Sequence, residues 1–439
     1  MKDEISLLSL KERLKQKKSI IGILGLGFVG LPLSLRFAEE GYKVIGFDID
    51  KNKSNSLNAG ISYINSIENH KVKKLIEGGG FRASNDFSES NVCDALIICV
   101  PTPLNKYRDP DLSFVKDTMK SISPFLRKEQ VISLESTTYP GTTEEVLRPL
   151  IEKKGFVIGQ DIFLVYSPER EDPGNKEYST YTIPKVLAGS TSNCSKIGIT
   201  LYESVIQTLI PVSTTQTAEM TKLLENIYRT VNIGLINEMK IIADIMKIDI
   251  HEVIRAASTK PFGFVPYYPG PGWGGHCIPV DPFYLTWKAK EFGLHSRFIE
   301  LAGEINRKMP NYVVSKCSDA LNKYHKSLKG SKILILGISY KKNIDDCRES
   351  PAVEIISILK GKGALISYSD PFFKTFPAMK KYNYDLSSCE IDAALIEKFD
   401  LVLLTTDHDA FDYELIFESS KLIIDTRGKF RKSEKVWRA

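Results

Sequence analysis

The most constraining feature of this chain is a glycine-rich turn that directly follows a short apolar stretch. The segment SIIGIL predicts a β-strand ending at Leu24, and GLGFVG follows it at positions 25–30. The next residues, LPLSLRFAEEG, have the apolar spacing of a helix that Gly41 can end. This order of strand, glycines and helix is typical of the first unit of a dinucleotide-binding Rossmann fold.

Each glycine of the turn has its own physical role. Gly25 permits the tight turn, Gly27 lets the backbone approach a pyrophosphate, and Gly30 lets the helix pack closely on the sheet. Phosphates bind at the amino terminus of such a helix because the N–H groups there are unpaired and the helix dipole favours negative charge. The sequence therefore predicts a cofactor-binding turn made of Gly25, Gly27, Phe28, Val29 and Gly30.

An acidic residue completes this pattern. The next apolar run, KVIGF, ends just before Asp48, eighteen positions after Gly30. A carboxylate there can accept hydrogen bonds from a ribose diol and would repel a 2′-phosphate, so NAD is favoured over NADP as the cofactor. Lys53 is a further candidate contact on the adenosine side. A glycine turn without a ligand is disfavoured by the ordered elements, and FAD by the lack of other flavin-like features.

Strand-like and helical segments alternate in two regions of the chain. Between residues 19 and 190, the β-branched runs are SIIGILG, KVIGF, DALIICVP, VISLES, FLVYSP and KVLAGS; after Lys329 they are KILILGISYK, ALISYSD, DLVLLTT and KLIIDTRG. Such alternation predicts an α/β fold with two doubly wound, Rossmann-like domains. The second copy has equivalents of the first glycine and the acidic residue, Gly337 and Asp370, but lacks the other glycines. A different nucleotide, held in a different way, is therefore expected there.

A long helical pattern lies between these two regions. In AEMTKLLENIYRTVNIGLINEMKIIADIMKI, apolar residues recur at helical spacing for about thirty residues. Its length predicts a spine between two domains, and its apolar content predicts a homodimer, or a larger assembly, in which a second chain covers part of the helix. We therefore expect an N-terminal extension at 1–18 (a short amphipathic helix or a frayed end), a NAD-binding domain at 19–212, a central helical dimerisation domain at 213–325 and a second Rossmann-like domain at 326–439.

Composition excludes several classes of protein. A length of 439 residues suits about three domains of ~150 residues each. The net charge of +5, from 59 basic and 54 acidic residues, argues against a nucleic-acid partner but leaves small anions as ligands. No stretch approaches the ~20 apolar residues of a membrane span, so no membrane partner is expected. Seven cysteines without CxxC spacing indicate reduced thiols and a cytoplasmic protein.

A glycine- and proline-rich stretch, PFGFVPYYPGPGWGGHCIPVDP at 261–282, contains the candidate nucleophile Cys277. Constrained loops of this length often carry functional sites. Small neighbours leave room for a substrate carbon, and Asp281 can position water or shuttle a proton. Lys222 is a candidate for lowering the thiol pKa.

The same residues also have structural explanations that involve no catalysis. A single cysteine can be a small buried residue, and Asp281 before a proline can be a turn residue. A metal site at His276 and Cys277 is not expected, because adjacent side chains diverge and the other histidines are dispersed.

Seven ordered motifs identify a resemblance over Ile20 to Lys429. They are GLGFVG, VPTP at 100–103, ESTTYPG at 135–141, SPER at 167–170, EMTKLLEN at 219–226, GWGGHCIPVD at 272–281 and YKKNIDDCRES at 340–350. With these motifs the chain resembles the UDP-glucose/GDP-mannose dehydrogenase family. The resemblance implies an NAD domain, a central dimerising helix and a carboxy-terminal UDP-sugar domain.

The resemblance also implies a reaction. The C6 hydroxyl of a nucleotide sugar would be oxidised to a carboxylate with two NAD, through a thiohemiacetal and a thioester on Cys277. Lys222 and Asn226, four residues apart and hence on one helix face, would hold the alkoxide and a water. A solvated helix face is the alternative, but both residues match the family motif, which favours the site. Glu169 in SPER would be the acid or base of the thioester step; without the resemblance it is an ordinary loop carboxylate.

The family motifs imply further contacts. The cofactor would be contacted by Thr102, by Thr137 beside the nicotinamide, and by Arg348. Lys341 would contact the UDP diphosphate, and the segment containing Tyr268, Gly272 and Gly274 would wrap the nucleotide sugar. Charge pairing with a neighbouring aspartate is the alternative for the two basic side chains.

The segment SPEREDPGN departs from the UDP-glucose enzymes, which have a second glutamate after SPE. Together with PGPGWGGHCIPVDPFYL it is more similar to enzymes acting on UDP-N-acetylhexosamines, with UDP-N-acetyl-D-glucosamine favoured and Arg170 as a sugar-recognition residue. The product would be a uronic acid for surface polysaccharide. The alternatives are the galactosamine or mannosamine epimers, UDP-glucose, a simpler two-electron dehydrogenase, or a catalytically silent sensor of NAD or nucleotide sugars.

Overall fold

A computed structural model describes residues 2–170, 178–275, 278–379 and 381–439, with the backbone alone for 2–8. Cys277 and His276 therefore lie outside the described residues. The chain divides into a first unit, Met1–Glu225 with Phe283–Leu294, and a second unit, Asn226–Pro282 with His295–Ala439. The three-domain boundaries expected from the sequence remain a prediction.

The first unit contains an eight-stranded sheet in the order β3-β2-β1-β4-β5-β6-β7-β8. Its strands are β1 (Ile20–Leu24), β2 (Lys43–Phe47), β3 (Phe81–Ser84), β4 (Ala95–Ile98), β5 (Gln130–Leu134), β6 (Ile162–Tyr166), β7 (Lys185–Gly189) and β8 (Leu209–Pro211). Strands β4 to β7 are buried along their whole length, as expected when both faces of a sheet are covered. Strands β3 and β8 were not predicted from the sequence.

One strand pair departs from the parallel arrangement that is usual in a doubly wound fold. Strand β7 runs antiparallel to β6, with Tyr166 opposite Ala188, whereas all other pairs in the sheet are parallel. Hydrophobic alternation carries no information about strand direction, so the sequence could not reveal this reversal.

The helices that belong to the first unit, or begin in it, are α1 (Lys2–Lys15), α2 (Gly30–Glu39), α3 (Lys51–Asn58), α4 (Asn69–Glu77), α5 (Ser113–Ile122), α6 (Arg148–Glu152), α7 (Ser192–Tyr202) and α8 (Thr215–Ile245). The 31-residue helix α8 confirms the predicted long helix and continues into the second unit. Of the two structures considered for the N-terminal segment, the helix is observed. Leu10 and Leu14 are fully buried in the core of the first unit, and Tyr42 donates a hydrogen bond to the Leu14 carbonyl oxygen.

The second unit contains a five-stranded, wholly parallel sheet in the order β10-β9-β11-β12-β13. Its strands are β9 (Lys332–Leu336), β10 (Leu365–Ser369), β11 (Leu401–Leu404), β12 (Ile423–Asp425) and β13 (Val436–Arg438). The remaining helices are α9 (Ile250–Ala257), α10 (Asp281–Glu291), α11 (Arg297–Lys323), α12 (Pro351–Gly361), α13 (Ala393–Ile396) and α14 (Tyr413–Ser419). Two Rossmann-like sheets and a long central helix confirm the predicted α/β fold class.

No helix in the described part of the chain combines the length and apolarity that crossing a bilayer requires.

Candidate active site

The glycine turn between β1 and α2 has the geometry that a dinucleotide needs. Gly25 has φ +95°, a left-handed conformation that favours glycine. A Cβ on Gly30 would lie 1.9 Å from the Gly25 carbonyl oxygen, whereas a Cβ on Gly27 would meet nothing within 4 Å. Gly30 is therefore required for helix packing, and the open space at Gly27 fits a ligand that approaches the backbone. Phe28 is exposed and Val29 is half-buried beside this space.

Asp48 follows β2, which pairs in parallel with β1, so its carboxylate lies beside the glycine turn. Its Oδ2 accepts a hydrogen bond from the Leu26 N–H at 3.0 Å, and its Oδ1 accepts one from the Asp50 N–H at 3.0 Å. The Lys53 ammonium lies 3.4 Å from Oδ2. The predicted ribose carboxylate and the predicted adenosine-side lysine are thus brought together, and this set of residues fits NAD.

Two predicted cofactor loops leave neighbouring strands at the same edge of the sheet. VPTP follows β4 and ESTTYPG follows β5. The Ser136 hydroxyl donates to the Val100 carbonyl oxygen at 2.7 Å and so joins the two loops. Thr102 is buried and Thr137 is half-buried. The adjacent Thr138 is also buried, and its Oγ1 has no hydrogen-bond partner among the described residues.

The SPER loop follows β6 and contacts the first turns of α8. The Lys222 ammonium lies 3.5 Å from Glu169 Oε2, so the structure brings these two predicted residues together. Arg170 pairs with Glu225 at 2.6 Å and donates to the Pro184 carbonyl oxygen at 2.7 Å. A role for Arg170 in sugar recognition remains a prediction.

Sequence analysis missed a buried ion pair beneath these loops. Lys185 Nζ lies 2.5 Å from Glu135 Oε2, and the Tyr202 hydroxyl donates to Glu135 Oε1 at 2.5 Å. Lys185 also lies 3.5 Å from the carbonyl oxygens of Ser167 and Pro168. The pair therefore ties the ESTTYPG loop to the SPER loop. The one sequence signal was a glutamate at the end of the otherwise uncharged strand VISLES.

An open cleft lies above this pair. Its lining includes Val29 of the glycine turn, Glu135, Lys185, Glu169 and Arg170. The cofactor turn and the predicted acid or base therefore share one cavity of the first unit.

The second unit brings together two other predicted residues. The Asn226 side-chain amide donates to Asp281 Oδ2 at 2.5 Å, and both side chains are buried. Asp281 is the first residue of α10. Lys222 and Asn226 are one turn apart on α8, as the sequence spacing predicted.

Two buried asparagines that the sequence analysis missed hold the glycine- and proline-rich loop near its middle, at Gly270. Asn237 Oδ1 accepts a hydrogen bond from the Gly270 N–H at 3.0 Å, and the Asn237 amide donates to Asn306 Oδ1 at 2.7 Å. Tyr268, two residues earlier, is exposed. Polar residues inside an apolar helical pattern were the available signal.

The predicted sugar loop packs on the predicted diphosphate segment. A Cβ on Gly274 would lie 2.5 Å from Tyr340 Cβ, and the Gly275 N–H donates to the Arg348 carbonyl oxygen at 2.9 Å. Gly272, with φ +138°, lies where a Cβ would meet Pro351 at 3.2 Å. Glycines here allow this close approach. Lys341, next to Tyr340, is half-buried.

Arg348 is paired within its own segment. Its guanidinium lies 2.6 Å from the Asp346 carboxylate, which is the alternative that the sequence had left open. Cys347, between them, is buried, and burial raises the pKa of its thiol to about 11.

The second sheet has an equivalent of Asp48 that accepts more hydrogen bonds from the protein than Asp48 does. Asp370, after β10, accepts hydrogen bonds from the N–H groups of Ile338 and Ser339 at 2.7 and 3.2 Å. His408 Nδ1 accepts the Asn343 N–H, so Nε2 carries the proton and donates to Asp370 at 3.2 Å. Burial opposes the ionised carboxyl, but the His408 and backbone hydrogen bonds lower the pKa of Asp370 overall. This arrangement supports a different mode of nucleotide binding in this domain.

Profiles of the UDP-glucose/GDP-mannose dehydrogenase family match three consecutive regions of the chain. The NAD binding domain matches residues 19–206, the central domain residues 216–308 and the UDP binding domain residues 334–432. The glycine turn and Asp48 lie in the first region, Lys222 and Asn226 in the second, and Lys341 in the third.

Several known proteins are similar over nearly the full length. UDP-N-acetyl-D-glucosamine 6-dehydrogenase of Pseudomonas aeruginosa is 35% identical, covering 89% of this chain and 91% of its own. NDP-N-acetyl-D-galactosaminuronic acid dehydrogenase of Ralstonia solanacearum is 33% identical over 93% and 95%. The solved structure of UDP-D-ManNAc dehydrogenase from Pyrococcus horikoshii is 30% identical over 94% and 96%, with a TM-score of 0.85.

Alanine substitutions at Gly30 and Gly27 of the turn are expected to have different effects. Gly30→Ala places a methyl group against the Gly25 carbonyl oxygen, so we expect a lower melting temperature. Gly27→Ala meets only open space in the protein, so its melting temperature stays unchanged while NAD binding weakens by about tenfold or more, or 1.4 kcal/mol. Calorimetry and NAD titration check both.

Gly361→Ala is the control, because a Cβ there also meets nothing within 4 Å and lies in α12, outside the cofactor turn. It should leave NAD binding unchanged. Wild-type NAD affinity in Gly27→Ala would contradict the assignment of the turn.

Proposed function

Since the chain belongs to the UDP-glucose/GDP-mannose dehydrogenase family, we propose that it oxidises the C6 hydroxyl of a UDP-N-acetylhexosamine to a carboxylate. As a member, the chain is an NAD-dependent UDP-sugar oxidoreductase. The observation that best supports the proposal is the pairing of Lys222 with Glu169, and of Asn226 with Asp281, around successive turns of one helix.

Bound NAD would be the hydride acceptor in each of the two oxidations. The residues that would hold it are Gly25, Gly27, Gly30 and Asp48, which form the cradle beside α2. Thr102 and Thr137 lie on loops at the carboxyl ends of β4 and β5, where ligands bind in open parallel sheets.

Cys277 is the proposed nucleophile. Its thiolate would attack the C6 aldehyde and form a thiohemiacetal, and after the second oxidation the sugar would be held as a thioester. Covalent capture keeps the reactive aldehyde on the enzyme between the two steps. Hydrolysis of the thioester then releases the uronate.

The two side-chain pairs supply the proton transfers and the charge stabilisation. The Lys222 ammonium would stabilise oxygen atoms that become negative, because a fixed cation in a buried setting acts strongly on developing charge. Glu169, 3.5 Å from that ammonium, would act as base for the hydrolytic water. Asn226 holds Asp281 at 2.5 Å and so orients a carboxylate four residues after Cys277.

The UDP-sugar would bind the second unit. Lys341 would meet the diphosphate, and Gly272 and Gly274 would shape the loop that covers the sugar. Glycines that pack this closely on Tyr340 and Pro351 give the loop one defined path, which favours a fixed sugar position.

UDP-N-acetyl-D-glucosamine is the proposed sugar. Support comes from the SPEREDPGN and GWGGHCIPVDPFYL segments and from the similarity to the Pseudomonas enzyme. The mannosamine and galactosamine epimers remain the alternatives, since similar proteins carry those names as well.

Purified protein is expected to oxidise UDP-N-acetyl-D-glucosamine with a higher kcat/KM than its galactosamine and mannosamine epimers or UDP-glucose. The reason is that the segment SPEREDPGN is similar to that of enzymes acting on UDP-N-acetylhexosamines. Initial rates of NADH formation measure this order. Preference for UDP-glucose would refute the N-acetylhexosamine assignment, and no turnover with any UDP- or GDP-sugar would favour a silent sensor.

The covalent mechanism predicts two NADH for each sugar consumed. Cys277→Ala should form no uronate while binding NAD nearly as the wild type does, because only the sulfur is removed. Cys389→Ala is the matched control, since that half-buried thiol follows a β-bridge outside the predicted site. A wild-type ratio of one with free aldehyde, or unchanged turnover in Cys277→Ala, would refute the nucleophile.

We also propose a homodimer formed through α8. In the second unit, its exposed apolar residues follow the spacing of a helical stripe and are 41 to 77% exposed: Tyr228, Leu235, Met239, Ile242 and Ile245. A stripe of this kind is what a second copy would cover.

Light scattering should therefore give twice the chain mass. Leu235→Arg places a charge in the stripe and should shift the protein towards monomer. The control Leu365→Arg lies at the start of β10 and is 55% exposed, but it is outside the stripe. A monomeric wild-type protein at micromolar concentration would contradict the dimer.

A further inference from the structure

A buried glutamate on α8 has contacts that none of the roles above uses. The Glu219 side chain is 0% exposed. Its Oε2 accepts the Gly141 N–H at 2.5 Å, and its Oε1 accepts the Thr143 N–H at 2.9 Å and the Thr143 hydroxyl at 2.7 Å. One carboxylate thus accepts hydrogen bonds from three donors of a single short segment.

That segment is the carboxyl end of the loop after β5, which contains Thr137. Its amino end is fixed by the Glu135 ion pair with Lys185 and by the Ser136 hydrogen bond to Val100. At the other end, Gly141 adopts φ +107° and a helical turn begins at Thr143. Glu219 therefore closes the second end of a loop whose first end is already anchored.

On the helix side, Glu219 begins a series of charged residues that contact loops of the first unit. Lys222, three residues later, lies 3.5 Å from Glu169, and Glu225, three residues further, pairs with Arg170 at 2.6 Å. Residues three apart share a helix face. Adjacent positions on the helix surface thus contact the loop after β5 through Glu219 and the loop after β6 through Lys222 and Glu225.

We propose that Glu219 is a positioning residue for the oxidation. Its carboxylate fixes the position of the loop after β5 relative to the turn of α8 that contains Lys222. The inference rests on the proposed function, in which Thr137 and Lys222 act in the reaction. Glu219 itself contacts neither substrate nor cofactor in this proposal.

The chemistry of the three donors explains why a carboxylate is needed. A carboxylate has acceptor sites on both oxygens, whereas a glutamine has one acceptor oxygen and an NH₂ group that only donates. With glutamine at this position, the side-chain NH₂ group would point at the N–H of either Gly141 or Thr143, and that N–H would lose its acceptor. Burial raises the pKa of Glu219 to about 7, and the hydrogen bonds from Thr143 and Gly141 oppose that rise. The donors thus help to keep the charge inside the protein.

The test compares Glu219→Gln with the wild-type full-length protein. The variant keeps the side-chain volume, so we expect the fold to persist while kcat falls by about 10- to 100-fold, because small misplacements of reacting groups cost rates of that order. KM for the UDP-sugar should change by less than about threefold, since the sugar contacts are elsewhere. Hydrogen exchange of backbone amides in residues 136–146 should become faster.

Glu238→Gln is the matched control, because it makes the same change at an exposed position of the same helix. It should alter neither kcat nor the exchange of residues 136–146. If Glu219→Gln does not fold, Thr143→Val removes a single donor from the loop side and should show the same effects at smaller size.

The outcomes separate this inference from the proposed function. An active wild type with unchanged kcat in Glu219→Gln, or with unchanged exchange in residues 136–146, overturns the positioning role alone. In Thr143→Val, a loss of activity that only matches a loss of folded protein also overturns it, because that result reflects stability. Absence of turnover in the wild type with every sugar overturns the proposed function instead.

Discussion

The candidate site of the first unit depends on the parallel pairing of the first strands. Strands β1, β2, β4, β5 and β6 all run in one direction, so the loops that follow them leave the sheet at one edge. The glycine turn, Asp48, VPTP, ESTTYPG and SPER are far apart in the chain, yet each follows one of these strands. One topological constraint therefore brings the candidate cofactor residues to the same edge of the sheet as Glu169.

Buried charge then fixes these loops against one another. Strand β7 is antiparallel to β6, so its first residue, Lys185, lies beyond the end of β6. There it pairs with Glu135 and approaches the carbonyl oxygens of the SPER loop. A buried charge that loses its partner costs about 3–5 kcal/mol, so such a pair strongly disfavours other loop arrangements. The reversed strand is thus directly connected to the position of Glu169.

The two Rossmann-like sheets show how one architecture serves two different ligands. Both place an aspartate after the second strand of the fold, Asp48 in one and Asp370 in the other. Asp48 lies beside a glycine turn with open space, whereas Asp370 is surrounded by Ile338, Ser339 and His408. Asp370 accepts more hydrogen bonds from the protein than Asp48 does, so fewer of its acceptor sites are left for a ribose. This difference agrees with an NAD-binding first domain and a UDP-binding second domain.

The sequence alone determined the α/β class, the glycine turn with Asp48, the long helix and the family, because these depend on local spacing and on ordered motifs. It also placed Lys222 and Asn226 on one helix face. Only the tertiary structure decided which partners those side chains meet. The Glu135–Lys185 pair, the reversal of β7, and the contacts of Glu219 and Asn237 join residues separated by 22 to 78 positions. Such contacts arise from strand direction and chain packing, which hydrophobic periodicity does not encode.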